Sequence, residues 1–534
     1  MLLINGNVYT FDAAQRVVQA IVIQGNRIVN VGTTEEILKK YKSKTIIDLK
    51  GKTVFPGFID GHAHILGEGG RLQTLDIVVT TSPDQIVSMV QERIKKYKPG
   101  QWILGRGWDQ NNWQVKEFPT SDVLDKISPD NPVLLRRVDG HAVWLNSKAL
   151  QLANISRETK DPDGGKIIRD RNGVPSGILV DNGINLIDNV LPLLTKDEIE
   201  QRLKFAMEEC VRLGLTEVHD MGVDLETISI YKKLIDQGEC PIRIYAVIDG
   251  PGETWKYYLK NGKEIGYGNG LLTVRAIKLY VDGALGSRGA ALIDSYSDDL
   301  GNRGLTVTSE DSLKQTCQQA LENGFQVCTH AIGDRGNHIM LNVYEKILQS
   351  TSKEIELMRW RIEHVQVLQP GDIPRFKATG ILPSMQPTHA TSDMDWAEAR
   401  LGPVRIKGAY AWRSILNTGV HIIGGSDFPV EFVNPLFGIY AAITRQDRSG
   451  YPAGGWFSDQ RMTREEAVKC FTQWAAYGAF QENEKGTIEA GKLADLTVLS
   501  KDIMQVNEIE ILKTEVEMTI VNGKIVYQKK SDPR

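Results

Sequence analysis

An α/β architecture, a TIM-like (β/α)8 barrel carrying a large insertion and a small added β-sandwich, is predicted by two observations. Eight short apolar runs recur through the middle of the chain, each ending in a polar or charged residue and followed by a helical stretch. That is the rhythm of βα units, and eight is the number that closes a parallel barrel. The two ends of the chain read alike, as alternating strands around glycine-containing turns such as Asn5-Gly6 and Asn522-Gly523, and are expected to meet in one β module.

In chain order, residues 2–9 and 20–29 open the terminal module, and residues 494–499 and 518–527 close it. The eight runs between are 54–60, 215–219, 242–248, 274–281, 325–330, 361–365, 381–386 and 421–427. About 150 residues separate the first run from the second, where one βα unit needs about thirty. The expected division is therefore a composite β-sandwich from 1–54 and 486–534, a barrel from 55–67 and 190–485, and an insertion over 68–189. Loops that leave the C-terminal ends of barrel strands lie over the active site, so the insertion is expected to cover it.

Composition removes several function classes. Of 534 residues, 41% are hydrophobic and 24% charged, which is globular and excludes disorder and fibrous repeats. Sixty-three basic against sixty-seven acidic residues leave a net charge of −4, so no broad positive field attracts nucleic acid or an anionic membrane. Five scattered cysteines without C-x-x-C suit a reducing compartment, and the N-terminus reads as neither signal peptide nor span; a cytoplasmic location is expected. The expected partner is a small-molecule substrate, with no nucleic acid and no membrane, and a homo-oligomer is among the expected assemblies.

The strand ends carry the chemistry. His62 and His64 follow the first run two residues apart, a spacing that turns both imidazoles the same way on an extended segment. The chain has only nine histidines, yet His330 and His364 close the fifth and sixth runs and Asp427 closes the eighth. Two imidazole pairs and a carboxylate at one barrel mouth suit a divalent metal, with zinc expected first and iron, nickel, cobalt and manganese compatible. Lys278 lies inside the apolar fourth run, where a lysine must be paired, neutralised or functional. On the residues alone, an ion-paired or snorkelling lysine is the plainer reading.

This order of H-x-H, lysine, histidine, histidine and aspartate resembles the metal-dependent amidohydrolase superfamily. Residues 55–64, FPGFIDGHAH, are similar to its opening motif, and residues 486–496, GTIEAGKLADL, to its entry into the closing sandwich. Residues 139–146, DGHAVWLN, and 281–288, VDGALGSR, resemble the amidohydrolase-3 branch, which includes N-substituted formamide deformylase. The resemblance implies that His62, His64 and Asp427 hold one ion and His330 and His364 another. It also implies that a carboxylated Lys278 joins them, with one or two ions per chain. Asp427 would act as base towards water and then as acid towards the leaving nitrogen.

The expected reaction is hydrolysis of a carbon–nitrogen bond other than a peptide bond, an amide or an N-acyl or N-formyl group, by metal-activated hydroxide. A deaminase or an ester or lactone hydrolase on the same barrel is the alternative, and a metal-free scaffold is the reading outside enzymes. Further substrate contacts are expected from His141, for an acyl oxygen, and Trp144, as part of an aromatic wall. Arg288 is a candidate carboxylate grip, and His219 and His389 lie near strand ends. Each has a bland counterpart: a core histidine at His219, a salt bridge at Arg288, and for Trp144 a tryptophan cluster giving the insertion its own core. His338 and His421 read as surface residues.

Overall fold

Gly57 splits the first apolar run in two. A Cβ there would lie 2.2 Å from Thr216 Oγ1, so the chain turns at the one residue without a side chain. In the computed structural model, which describes residues 1–530 apart from 79, 189 and 351–356, Thr53–Pro56 pairs with Leu496–Leu499 of the C-terminal segment. Phe58–Ala63 begins the barrel instead. The run 54–60, expected as one strand, thus serves two sheets. Residues 79 and 189 of the expected insertion and 531–534 of the expected terminal module lie outside the described residues.

The barrel strands are β1 (Phe58–Ala63), β2 (Leu215–Val223), β3 (Arg243–Asp249), β4 (Leu272–Tyr280), β5 (Gln326–Ala331), β6 (Arg361–His364), β7 (Leu382–Met385) and β8 (Ile423–Gly424). They pair in chain order and in parallel, as right-handed βα crossovers require. The result is a nearly closed eight-strand sheet. Its helices start and stop on local signals: Thr195 and Glu198 form a capping box at Lys196–Arg212 before β2. Ser309 caps Glu310–Asn323, and left-handed Gly324 ends it before β5.

The seam between β8 and β1 is held by side chains and single bonds. Asp60 accepts the Ser426 hydroxyl at 2.6 Å and its N–H at 3.0 Å, and the Asp427 N–H donates to the His62 carbonyl at 2.7 Å. The backbones come so close that a Cβ on Gly61 would lie 2.3 Å from Ile423 Cγ2, and one on Gly425 would lie 2.6 Å from the His62 nitrogen.

Two further sheets use the chain ends. One has six strands drawn from both ends, the other is Leu2–Ile4, Ala20–Gln24, Arg27–Gly32 and Ile46–Asp48, and they share an apolar cluster that includes Leu3, Val54, Leu496 and Ile520. Between β1 and β2 a separate six-stranded sheet forms, with an apolar cluster on each face. All five cysteines are buried free thiols, and no described helix is long and apolar enough to cross a membrane.

Candidate metal centre and active site

His62, His64, Lys278, His330, His364 and Asp427 all line one cavity of about 1070 Å³ at the C-terminal ends of the strands. The imidazoles are aimed by what holds their outer nitrogens. His62 Nδ1 lies 2.6 Å from Glu363 Oε2, His64 Nδ1 3.0 Å from the Met221 carbonyl, and His364 Nδ1 2.9 Å from Gln386 Oε1. Carboxylate, backbone carbonyl and amide oxygen accept only, so each Nδ1 carries a proton and Nε2 is the nitrogen left to meet a ligand. His330 is turned the other way, with Nε2 3.5 Å from the Gly283 carbonyl and its ring centre 4.6 Å from that of His364.

Two of these Nε2 atoms meet Asp427. Its Oδ1 lies 3.2 Å from His64 Nε2 and 3.5 Å from His62 Nε2, buried and without a hydrogen bond. Burial, then Lys278, pushes the His62 imidazolium down to about 4, and burial likewise holds His330 and His364 well below the usual range. Burial opposes ionisation of Asp427, but His62 and His64 hold its carboxyl well below the usual carboxylate range. Neutral imidazoles at His62 and His364 beside an ionised carboxylate turn lone pairs towards one another, so this set of nitrogens and oxygen fits a divalent metal. His62, His364 and Asp427 bring one donor atom each within 4.8 Å of one another. That trio takes a histidine from each of the two ions that the resemblance implies.

Backbone and outer residues keep this arrangement rigid. His364 and Asp427 sit at φ 74° and 62°, the left-handed region that non-glycine residues occupy at a cost. Arg361 binds Glu363 through Nε at 2.8 Å and reaches the Gly61 carbonyl at 2.6 Å and Ser384 at 2.9 Å. Burial would raise the Glu363 carboxyl, but Arg361 and His62 hold it far below its ordinary value. Lys278 Nζ lies 3.3 Å from His62 Nε2, and burial pushes its ammonium down.

Of the expected substrate contacts, two reach the cavity. His141 lines it with Nδ1 2.7 Å from Asp181 and its ring centre 5.2 Å from that of His330. His389 lines it with an unpartnered Nε2 3.7 Å from Asp427 Oδ2. Three expectations need correction. Trp144 is fully buried with Trp108 and Trp113 in the core of the separate six-stranded sheet, its indole N–H given to the Thr120 carbonyl. His219 is fully buried behind the site, with Nδ1 3.0 Å from Arg361. Arg288 points away from the cavity into a salt bridge with Asp298 at 3.1 Å.

Glu363, Arg361 and Gln386 escape the strand-end rule because they hold the candidate histidines, directly or through one another, without lining the cavity. Their signal is present in residues 361–364, RIEH, where two opposite charges alternate within a fully buried strand. Such charges persist only when paired.

The Amidohydrolase family profile matches residues 45–527. The protein YtcJ of Bacillus subtilis is 33% identical over 536 residues, covering 98% of either chain. The N-substituted formamide deformylase of Arthrobacter pascens is 28% identical over 568 residues, covering 99% of this chain and 98% of that one. Among solved structures, an uncharacterized metal-dependent hydrolase of Pyrococcus horikoshii OT3 superposes with a TM-score of 0.77 at 28% identity, covering 95% of this chain and 98% of the other.

Proposed function

The chain belongs to the amidohydrolase family, and from that membership we propose that it hydrolyses a carbon–nitrogen bond, other than a peptide bond, in a small organic substrate. The substrate class is an amide or an N-acyl or N-formyl amine. The carrying observation is the orphaned Asp427 Oδ1 beside the Nε2 atoms of His62 and His64 in a large cavity. The formamide-cleaving relative supports the choice of bond.

His62, His64, His364 and Asp427 would hold a divalent ion, zinc by their nitrogen and oxygen donors, with His330 and a carboxylated Lys278 serving a second position. When bound, the metal supplies Lewis acidity towards the acyl oxygen and lowers the pKa of water. Asp427 Oδ1 takes a proton from the attacking water. As the C–N bond breaks it returns that proton to the nitrogen, so that amide and water become carboxylic acid and amine. His141, held by Asp181, donates to the acyl oxygen, and His389 Nε2 steadies the second oxygen of Asp427. In the same reading residues 68–189 wall the site, the terminal sheets form a β-sandwich, and the enzyme acts in the cytoplasm.

The test combines elemental analysis of protein purified without chelator, intact mass at Lys278, and amine release from N-formyl and N-acyl amines. Bound divalent metal, a lysine heavier by one CO2 and chelator-sensitive amine release are expected. Protein that takes up no metal on reconstitution and releases no amine would overturn the proposal.

A further inference from the structure

Arg106 and Arg136 are direct partners on two parallel strands of the insertion, Ile103–Trp108 and Val133–Arg137. Both line the cavity that holds the metal centre. Each guanidinium has one anchor on a single turn: Arg106 Nη2 donates to the Val138 carbonyl at 2.9 Å, and Arg136 Nη1 to the Gly140 carbonyl at 3.3 Å. Among the described residues neither forms an ion pair. Of the cavity's acids nearby, Asp109 and Asp139 both pair with Arg137 and Asp181 holds His141, while Asp188, outside ion-pair reach, is the carboxylate whose charge acts on Arg136. Burial, then the charge of Arg136, pushes the Arg106 guanidinium down to about 10. Two neighbouring cations at one wall of the cavity repel each other, and an anion bound between them relieves that repulsion.

We infer that Arg106 and Arg136 form a carboxylate subsite, so that the substrate carries a carboxylate beside its scissile amide, as an N-acyl or N-formyl amino acid does. The planar forks suit the two oxygens of a carboxylate. The turn that fixes both guanidiniums runs directly into His141, whose ring is 5.2 Å from that of His330. The carboxylate is thereby held on the insertion side while the acyl group faces the metal ligands. This inference rests on the hydrolase reading for the identity of the bond, not for the binding of the anion.

Two measurements on the metal-loaded enzyme separate the claims. The first compares kcat/KM for N-formylphenylglycine and N-formylbenzylamine, which differ by the carboxylate. The second is calorimetric binding of phenylacetate against benzyl alcohol, which needs no turnover. The wild type should prefer the carboxylate in both. Arg106→Met and Arg136→Met, which keep the apolar stem, should each weaken phenylacetate binding about 10- to 100-fold and reduce the substrate preference by a like factor. Arg136→Lys, which keeps the charge without the fork, should lie between. Equal binding of acid and alcohol, or phenylacetate affinity unchanged in both Met variants because the anion sits on the metal, overturns the subsite. Turnover of N-formylbenzylamine without carboxylate preference would sink the subsite and leave the hydrolase. Arginine-dependent phenylacetate binding without turnover of either formamide would do the reverse.

Discussion

Glu363 receives the Nδ1 proton of His62 across 2.6 Å with both side chains fully buried. The carboxylate sets the tautomer, raises the electron density on Nε2 and answers the charge of Arg361 beneath it. Glu363→Gln keeps the shape and removes the charge. The expected result is a metal affinity about 10- to 100-fold weaker in competition with a chelator. Thermal unfolding should also come earlier, because Arg361 is left buried with reduced compensation. Unchanged metal affinity would make Glu363 a structural partner of Arg361 alone.

Asp427 has one oxygen without a hydrogen bond and the other 3.7 Å from His389. Asp427→Asn retains the volume and cannot take a proton at neutral pH. With metal supplied to saturation, kcat should fall about 10²- to 10⁴-fold while the circular dichroism spectrum stays that of the wild type. A variant with near-normal turnover would transfer the base role elsewhere, His389 being the nearest candidate.

The candidate ligands were legible because a parallel barrel sends its strand ends to one mouth, so that position alone groups His62, His330, His364 and Asp427. The same rule misplaces His219: β2 runs on to Val223, four residues past it, and buries the ring in the wall. The boundary at residue 54 was missed because hydrophobicity runs unbroken through Gly57, and only the approach of Thr216 makes the chain change sheets there. Within the separate six-stranded sheet, periodicity shows that Trp144 is in a strand without showing which face meets the cavity. The arginine pair was illegible for a related reason, since strands 103–108 and 133–137 meet only in the folded sheet.

Asp220 links stability to pH. Burial pushes its carboxyl up to about 6 from 3.8, against hydrogen bonds from the Ile65 N–H and the Tyr231 hydroxyl. Between these two values the folded chain holds a proton that the unfolded chain has lost, so this residue's contribution declines as pH rises through that window. Asp220→Asn has no such proton. In urea unfolding at pH 4 and pH 7, the variant should gain on the wild type by roughly 2–3 kcal/mol, at about 1.4 kcal/mol per pH unit. A stability difference independent of pH would mean that Asp220 is ionised throughout.

Gly61 couples barrel closure to the candidate metal centre. Its missing side chain allows β1 to approach β8, where a Cβ would come within 2.3 Å of Ile423 Cγ2 and 2.7 Å of the Gly424 carbonyl. The second contact is with backbone, so rotation of a side chain cannot relieve it. Gly61→Ala must therefore move β1 and β8 apart, and His62 and Asp427 travel with them because the Asp427 N–H is bonded to the His62 carbonyl at 2.7 Å. Overpacking of this kind costs about 1–3 kcal/mol. The expected variant is folded but less stable to heat, and it retains less metal per chain after dialysis. If stability falls while metal content and kcat both hold, the seam and the site are mechanically independent, and the ligands owe their placement to Glu363, Met221 and Gln386 alone.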